Sequence, residues 1–303
     1  MPLLRFLLKA SVWVVTGSAF YTRRMLRWLS AVVVGALAIC PPLPVAAAAP
    51  AIPTPAHIVV VVEENHSAGN VIGNKSAPFM NSLAANGALM TQSYAETHPS
   101  EPNYLALFSG STLGLTSDAC PVDAGAASNL GSELLAAGYS FAGFSEDLPA
   151  VGSTTCAAGK YARKHAPWVN FTNVPPETSV PFSAFNARSD YATLPTVSFV
   201  IPNLDNDMHD GTIAQADTWL ATNLTRYANW AVANNSLLIV TWDEDDSGAN
   251  NQIPTMVYGA NVKPGQYNET INHYNVLSTV EQMYGLNKTG LAANAPAIST
   301  IWS

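Results

Sequence analysis

Three stretches of this chain share one pattern, an unbroken run of aliphatic and β-branched residues that stops at polar groups able to hold a charge. Residues 237–242 read Leu-Leu-Ile-Val-Thr-Trp and run into Asp243, Glu244, Asp245 and Asp246. Residues 58–62 read Ile-Val-Val-Val-Val and run into Glu63, Glu64 and Asn65. Residues 196–201 lead into the loop 202–211, which carries Asp205, Asp207, His209 and Asp210. Apolar runs without alternation predict strands covered on both faces, as in a parallel sheet. In open α/β sheets ligand sites collect outside the carboxyl ends of such strands, so the three tips are expected to be neighbours in space. Crowded carboxylates there are costly unless they are solvated or meet a cation.

The remaining pattern fills in the layers. Residues 78–87 predict a short helix closed by glycine, 89–95 a strand, 129–137 a helix and 139–144 a strand. Pro102 suits the first turn of a helix that continues through 105–108. Ser100 then falls at or just before that helix's amino terminus, where free amides favour an anion such as a phosphate; for a lone serine a plain N-cap is the commoner role. Residues 212–234 predict a long amphipathic helix with Trp219, Leu220, Leu224, Tyr227 and Trp230 on its core face. Residues 253–258 predict the last strand, and Asn272-His273-Tyr274-Asn275 opens a final helix with Val276, Leu277, Val280 and Met283 at helical spacing. Between 145 and 181 the pattern dissolves, and Lys160, Arg163, Lys164 and His165 lie close together there, a solvated loop or a clamp for an anionic substrate or lipid headgroup. With no repeat and no long linker, the expected fold is a single-domain α/β/α sandwich around a mostly parallel sheet.

Composition supports a large two-sided core, with 48% hydrophobic and 11% charged residues in 303. It changes the picture at the amino terminus. Arg23, Arg24 and Arg27 precede an apolar run over 29–39, followed by Cys40-Pro41-Pro42 and small residues over 46–49, the layout of a secretory signal. The run is shorter than the roughly 20 residues a membrane span needs. Residues 1–48 are therefore expected to be removed, with Met25 a candidate true start, leaving 49–303 as a secreted domain. Removal leaves 8 of the 13 cations against all 21 acids, a balance near −13 that argues against nucleic acid as partner. Cys120 and Cys156 remain, an even number in an exported chain, and are expected to form a disulfide. The Asp210-Gly211 pair falls one residue late and no glutamate closes the Asp205 loop at the twelfth position, which argues against an EF-hand, and no Gly-x-Ser-x-Gly elbow supports a serine esterase.

Five stations occur in a familiar order: Glu63-Glu64-Asn65, the run from His98 to Tyr104, the run from Asp205 to Gly211, the run from Thr241 to Asp246, and His273 to Leu277. Together they resemble the phosphoesterase family of the alkaline phosphatase-like superfamily, which includes bacterial acid phosphatases and phospholipases C. The resemblance implies an alkaline phosphatase-like fold and a nucleophile at Ser100, two places before Pro102-Asn103, with His98 nearby as a proton carrier or structural partner. It implies one metal held by Asp205, His209 and His273, and another held by Glu64, Asn65, Asp243 and Glu244. Glu244 and Glu64-Asn65 depart from the superfamily's commoner aspartate and histidine ligands. So oxygen-rich a set of one or two divalent ions favours calcium, magnesium or manganese over zinc. Asn103, Lys160, Arg163 and Lys164 are the candidate substrate contacts. The implied activity is phosphomonoester hydrolysis by a monomer, phosphatidylinositol 3-phosphate included, with transient contact at a membrane surface. The same residues would serve a phospholipase C-like phosphodiesterase or a non-enzymatic secreted cation-binding protein.

Overall fold

The computed structural model describes residues 51–303; the expected signal, Met25 and Cys40 fall outside the described residues. In chain order the elements are β1 (His57–Glu63), α1 (Ala68–Val71), α2 (Pro78–Asn86), β2 (Ala88–Tyr94), α3 (Ser100–Ser109), α4 (Leu130–Ala136) and β3 (Phe141–Ser145). They continue with β4 (Ala157–Ala158), β5 (Tyr161–Ala162), β6 (Ser179–Pro181), α5 (Ser183–Asn186), β7 (Val197–Ile201) and α6 (Ile213–Ala233). The last are β8 (Ser236–Trp242), β9 (Thr255–Gly259), β10 (Gly265–Asn272) and α7 (His273–Met283).

Eight strands form one sheet in the order β10-β2-β9-β8-β1-β7-β3-β6. Every pairing is parallel except the two made by β9, which runs against β2 and β8. The reason for two-sided burial is visible in β1: Ile58, Val60 and Val62 enter one core, Val59 and Val61 the other. Alternate side chains of a strand point to opposite faces, so a strand covered on both needs to be apolar throughout. Helices α3, α4 and α7 contribute to the first core and α2, α5 and α6 to the second. The fold is thus an α/β sandwich around a mostly parallel sheet, as the pattern predicts.

Two edges differ from expectation. The strand over 253–258 is not the last, because β10 pairs with β2 beyond it. The patternless region 145–181 contains the β4–β5 hairpin and the edge strand β6. Edge and hairpin strands bury little, so their sequences carry almost no apolar signal.

The disulfide joins Cys120 to Cys156, 36 residues apart, and fastens the loop after α3 to the hairpin region. A bridge of this span contributes about 2–4 kcal/mol, and each kcal/mol moves the melting temperature of a domain this size by about 2–4 °C. Replacing both with serine is expected to lower the melting temperature by about 4–16 °C in calorimetry.

Candidate active site

Strand register brings the first two tips level. Glu63 pairs with Trp242, and Asp243 extends the ladder by donating its amide to the Glu63 carbonyl at 3.0 Å. The alternation that sends Leu237 and Ile239 to the α3 side of the sheet sends Asp243 there as well. The third tip is tied in by the Glu64 amide, which donates to the Asp207 carbonyl at 2.8 Å. The Asn65 amide donates to Asp243 Oδ1 at 3.2 Å, and Asn65 itself contributes backbone at φ 53°.

Ser100 is the first residue of α3, and the capping position belongs to Pro99. Its hydroxyl makes no capping bond; it faces Glu64 Oε2 at 3.2 Å and Glu244 Oε1 at 3.3 Å. Four residues on, and so on the same helix face, the Tyr104 hydroxyl donates to Glu64 Oε1 at 2.5 Å. Tyr104 also stacks on His165, with ring centroids 4.9 Å apart. One helix therefore fixes the candidate nucleophile, a carboxylate and an imidazole.

The carboxylates at this centre, Glu64, Asp207, Asp243 and Glu244, are 0–6% exposed. Burial, followed by mutual repulsion with Asp243 and Asp207, raises Glu64 well above the usual range. Burial raises Asp207 and Asp243 to about 7, the second with help from Glu244. Burial and the neighbouring Lys164 push His165 well below its ordinary value, so it is a neutral imidazole, the form that binds metal. His165 Nε2 lies 3.0 Å from Glu64 Oε1 and Nδ1 lies 3.3 Å from Asp207 Oδ2. Yet Nε2 and Asp207 Oδ2 make no hydrogen bond, and Asp243 Oδ2 is a further buried oxygen without a partner. Lone pairs here converge without bonding one another, which is what a cation would satisfy. Glu64, His165 and Asp207 offer ligand atoms all within 4.8 Å of each other and could hold one ion.

The other sequence candidates fall into two groups. His98 lies at the rim, Nδ1 2.7 Å from Glu244 Oε2 and Nε2 3.3 Å from Asp245 Oδ1. Lys164 donates to Asp118 Oδ2 at 2.8 Å, stands 3.4 Å from His209 Nε2, and its charge is felt at Glu64. The remaining candidates are engaged elsewhere. Asp205 pairs with Lys160 at 2.7 Å on the surface, and Asp207 takes the inward place that the Asp-x-x-x-His spacing assigned to Asp205. His209 pairs with Asp210 at 2.9 Å. His273 is held between Glu96 and the Trp242 carbonyl, the latter at 2.8 Å, leaving neither ring nitrogen for a metal. Burial alone would keep that imidazole neutral, but the Glu96 carboxylate raises its pKa. Arg163 turns inward to the carbonyls of Thr154 and Val122 and to Asn170. Asn103 braces the loop before α3 through the amides of Glu96 and Thr97 and the carbonyl of Thr97, with only a 3.5 Å approach to Glu244. Asp207, His165 and Tyr104 were missed as site residues; His165 was visible only as one member of the basic run.

A model of the Phosphoesterase family matches residues 73–287. The chain belongs to the phosphoesterase family. Among this phosphoesterase's relatives, phosphatidylinositol-3-phosphatase of Mycobacterium tuberculosis is 71% identical over 255 residues, covering 84% of this chain and 85% of the relative. An acid phosphatase of Aspergillus fumigatus is 29% identical over 226 residues, 69% of this chain but only 51% of its own length. Among solved structures, a protein in the alkaline phosphatase superfamily from Vibrio parahaemolyticus aligns with a TM-score of 0.56 at 14% identity, over 82% of this chain and 70% of that one. A phosphonate monoester hydrolase of Agrobacterium radiobacter aligns at 0.51 and 13% over 82% and 79%. These structural likenesses bear on the fold, which is alkaline phosphatase-like.

A carboxyl that titrates higher in the fold than in the unfolded chain holds its proton more tightly when folded. The stability that this confers is complete below the unfolded value of 3.8 and is lost as pH rises through about 7. In chelator, the phosphoesterase is expected to lose melting temperature between pH 4 and 8, more steeply than its Asp243→Asn variant. Added divalent cation should restore stability mostly at the upper end. A cation-induced shift no larger at pH 8 than at pH 5 would contradict this assignment.

Proposed function

We propose that this phosphatase is a secreted, metal-dependent phosphomonoesterase that acts on phosphoinositides among its substrates, through a phosphoserine formed on Ser100. The observation that carries the reading is the Ser100 hydroxyl, 98% buried and held between the carboxylates of Glu64 and Glu244 at the strand tips. A serine hydroxyl is a weak nucleophile at neutral pH and needs an activator. A divalent cation held by Glu64, His165 and Asp207, with Asp243 and Glu244 alongside, would lower the hydroxyl's pKa and offset phosphoryl charge. The four carboxylates of that set favour a hard ion, while the imidazole admits manganese.

The chain's own groups account for the rest. Glu64 and Glu244 orient the hydroxyl for in-line attack on phosphorus. Lys164, the one side chain of the three basic candidates turned to this cluster, attracts the phosphoryl oxygens. His98, 39% exposed and bonded to Glu244, is placed at the rim to pass a proton to the leaving alcohol. The first amide of α3 past Ser100, that of Glu101, is taken by Asp118 Oδ1 at 3.0 Å, so less of the helix terminus serves the phosphate than its sequence suggests. The 71% identical relative, by its name a phosphatidylinositol-3-phosphatase, supports the substrate class. The signal-like amino terminus and the disulfide support secretion.

The test is phosphate release from p-nitrophenyl phosphate, from a phosphodiester and from phosphatidylinositol 3-phosphate, with and without chelator. Ser100→Ala is expected to cut monoester turnover by on the order of 10³-fold or more with the melting temperature nearly unchanged. Faster release from the diester would instead mark a phosphodiesterase. Unchanged turnover in Ser100→Ala would end the nucleophile assignment.

A further inference from the structure

Behind the basic segment lies a cavity of about 400 Å³, walled by Val122, Phe171, Val174, Pro175 and Pro176. Its size falls in the range of small-molecule pockets. Trp168 forms part of it because β3 carries glycine at 143: a Cβ there would stand 2.1 Å from the indole. Among the lining side chains, Arg163, Trp168 and Ser179 are 7%, 1% and 2% exposed. Each has a buried polar atom without a partner, Nε, Nε1 and Oγ respectively. The two nitrogens can only donate. Arg163 forms no ion pair among the described residues, and a buried guanidinium without an anion is costly. Apolar walls and unmatched donors together fit an aliphatic chain with an oxygen-bearing head.

The position relates the cavity to the reaction. Arg163 and Asn170 line it, while Lys164 and His165, next in sequence, face the catalytic cluster. Arg163 donates to Asn170 Oδ1 at 3.0 Å, and Asn170 donates to Glu101, the neighbour of Ser100, at 3.3 Å. We propose that this cavity takes an acyl chain of the lipid part of a phosphoinositide whose phosphate is at Ser100, with the chain's ester oxygens toward Arg163. The inference rests on the phosphoinositide reading above. It makes the enzyme selective for the lipid tail as well as for the phosphate.

Monomeric phosphatidylinositol 3-phosphates with butanoyl and octanoyl chains test it. The wild type is expected to show a kcat/KM at least about tenfold higher for octanoyl, a modest share of what the added methylenes could supply at about 0.8 kcal/mol each. Thr154→Trp and Thr172→Trp, at exposed lining positions, should bring that ratio toward one while p-nitrophenyl phosphate turnover stays unchanged. A wild-type ratio near one, or a ratio unaffected in both variants, overturns the proposal. A second arm does not need lipid turnover: 8-bromooctanoate should quench tryptophan fluorescence in the wild type and lose most of that effect in Trp168→Phe. If p-nitrophenyl phosphate is hydrolysed and the lipid is not, the phosphoinositide reading fails with the proposal's substrate, and quenching alone decides whether the cavity binds a chain. Absence of quenching overturns the cavity's role.

Discussion

The molecule is built around the cost of burying anions. Glu64, Asp207, Asp243 and Glu244 lie within a few residues of the ends of strands that are apolar on both faces, and none is more than 6% exposed. Each buried charge costs several kcal/mol unless donors or a counter-ion compensate it. The protein supplies some donors: the hydroxyls of Ser100 and Tyr104, the Asn65 amide and the His98 ring. They do not suffice, since Asp207 Oδ2 and Asp243 Oδ2 stay unpaired. Protons or a cation must make up the difference, so pH, metal affinity and stability become one problem at this site.

Helix α3 turns that electrostatic problem into a geometric one. All ten of its residues are buried, which leaves the helix no freedom to rotate about its axis without burying voids or breaking contacts. Ser100 and Tyr104 bond the two oxygens of one carboxylate from the same face of this fixed helix. From α7, packed beside α3, His273 donates to the Trp242 carbonyl, one residue before Asp243, and is anchored by Glu96. The late histidine thus acts on the position of the central strand tip through the backbone. A reactive group held by packing and by a further layer of hydrogen bonds is the arrangement that preorganised catalysis requires.

These relations decide what could be read from the sequence. The mostly parallel sheet and the nearness of its acidic strand tips were legible, because a strand buried on both faces has to be apolar; that Ser100 joins Glu64, Asp243 and Glu244 there was implied by the family resemblance rather than by the pattern. The edge strands β6 and β10 were not, since one is three residues long and the other alternates polar with apolar residues, GQYNETIN. The loop acids were legible as a group but not one by one. Asp205 and Asp207 point in different directions from a loop that coils on Asn203, whose oxygens take the amides of Asp205, Asn206 and Asp207, while Gly211 lies against the Asp205 backbone, where a Cβ would come within 1.8 Å of the carbonyl oxygen. That is a property of loop closure, which a spacing motif does not encode.

The basic run shows the same limit and carries a chemical consequence. Residues 163–165 form one turn of 3-10 helix, in which successive side chains leave the axis about a third of a turn apart. Arg163 goes inward beneath the disulfide, Lys164 toward Asp118 and His209, and His165 into the carboxylate cluster. Three neighbours in sequence are therefore not one patch in space. Lys160, the fourth, is spent on Asp205 and Asp210. One lysine, already shared with Asp118, faces four buried carboxylates, so the bare site repels a phosphate dianion once those carboxylates ionise. Coulomb repulsion of that sign grows as burial lowers the effective dielectric. On the metal-dependent reading proposed above, a cation at these carboxylates would serve the substrate's approach as well as the activation of Ser100, and the two demands would fall on the same ligands.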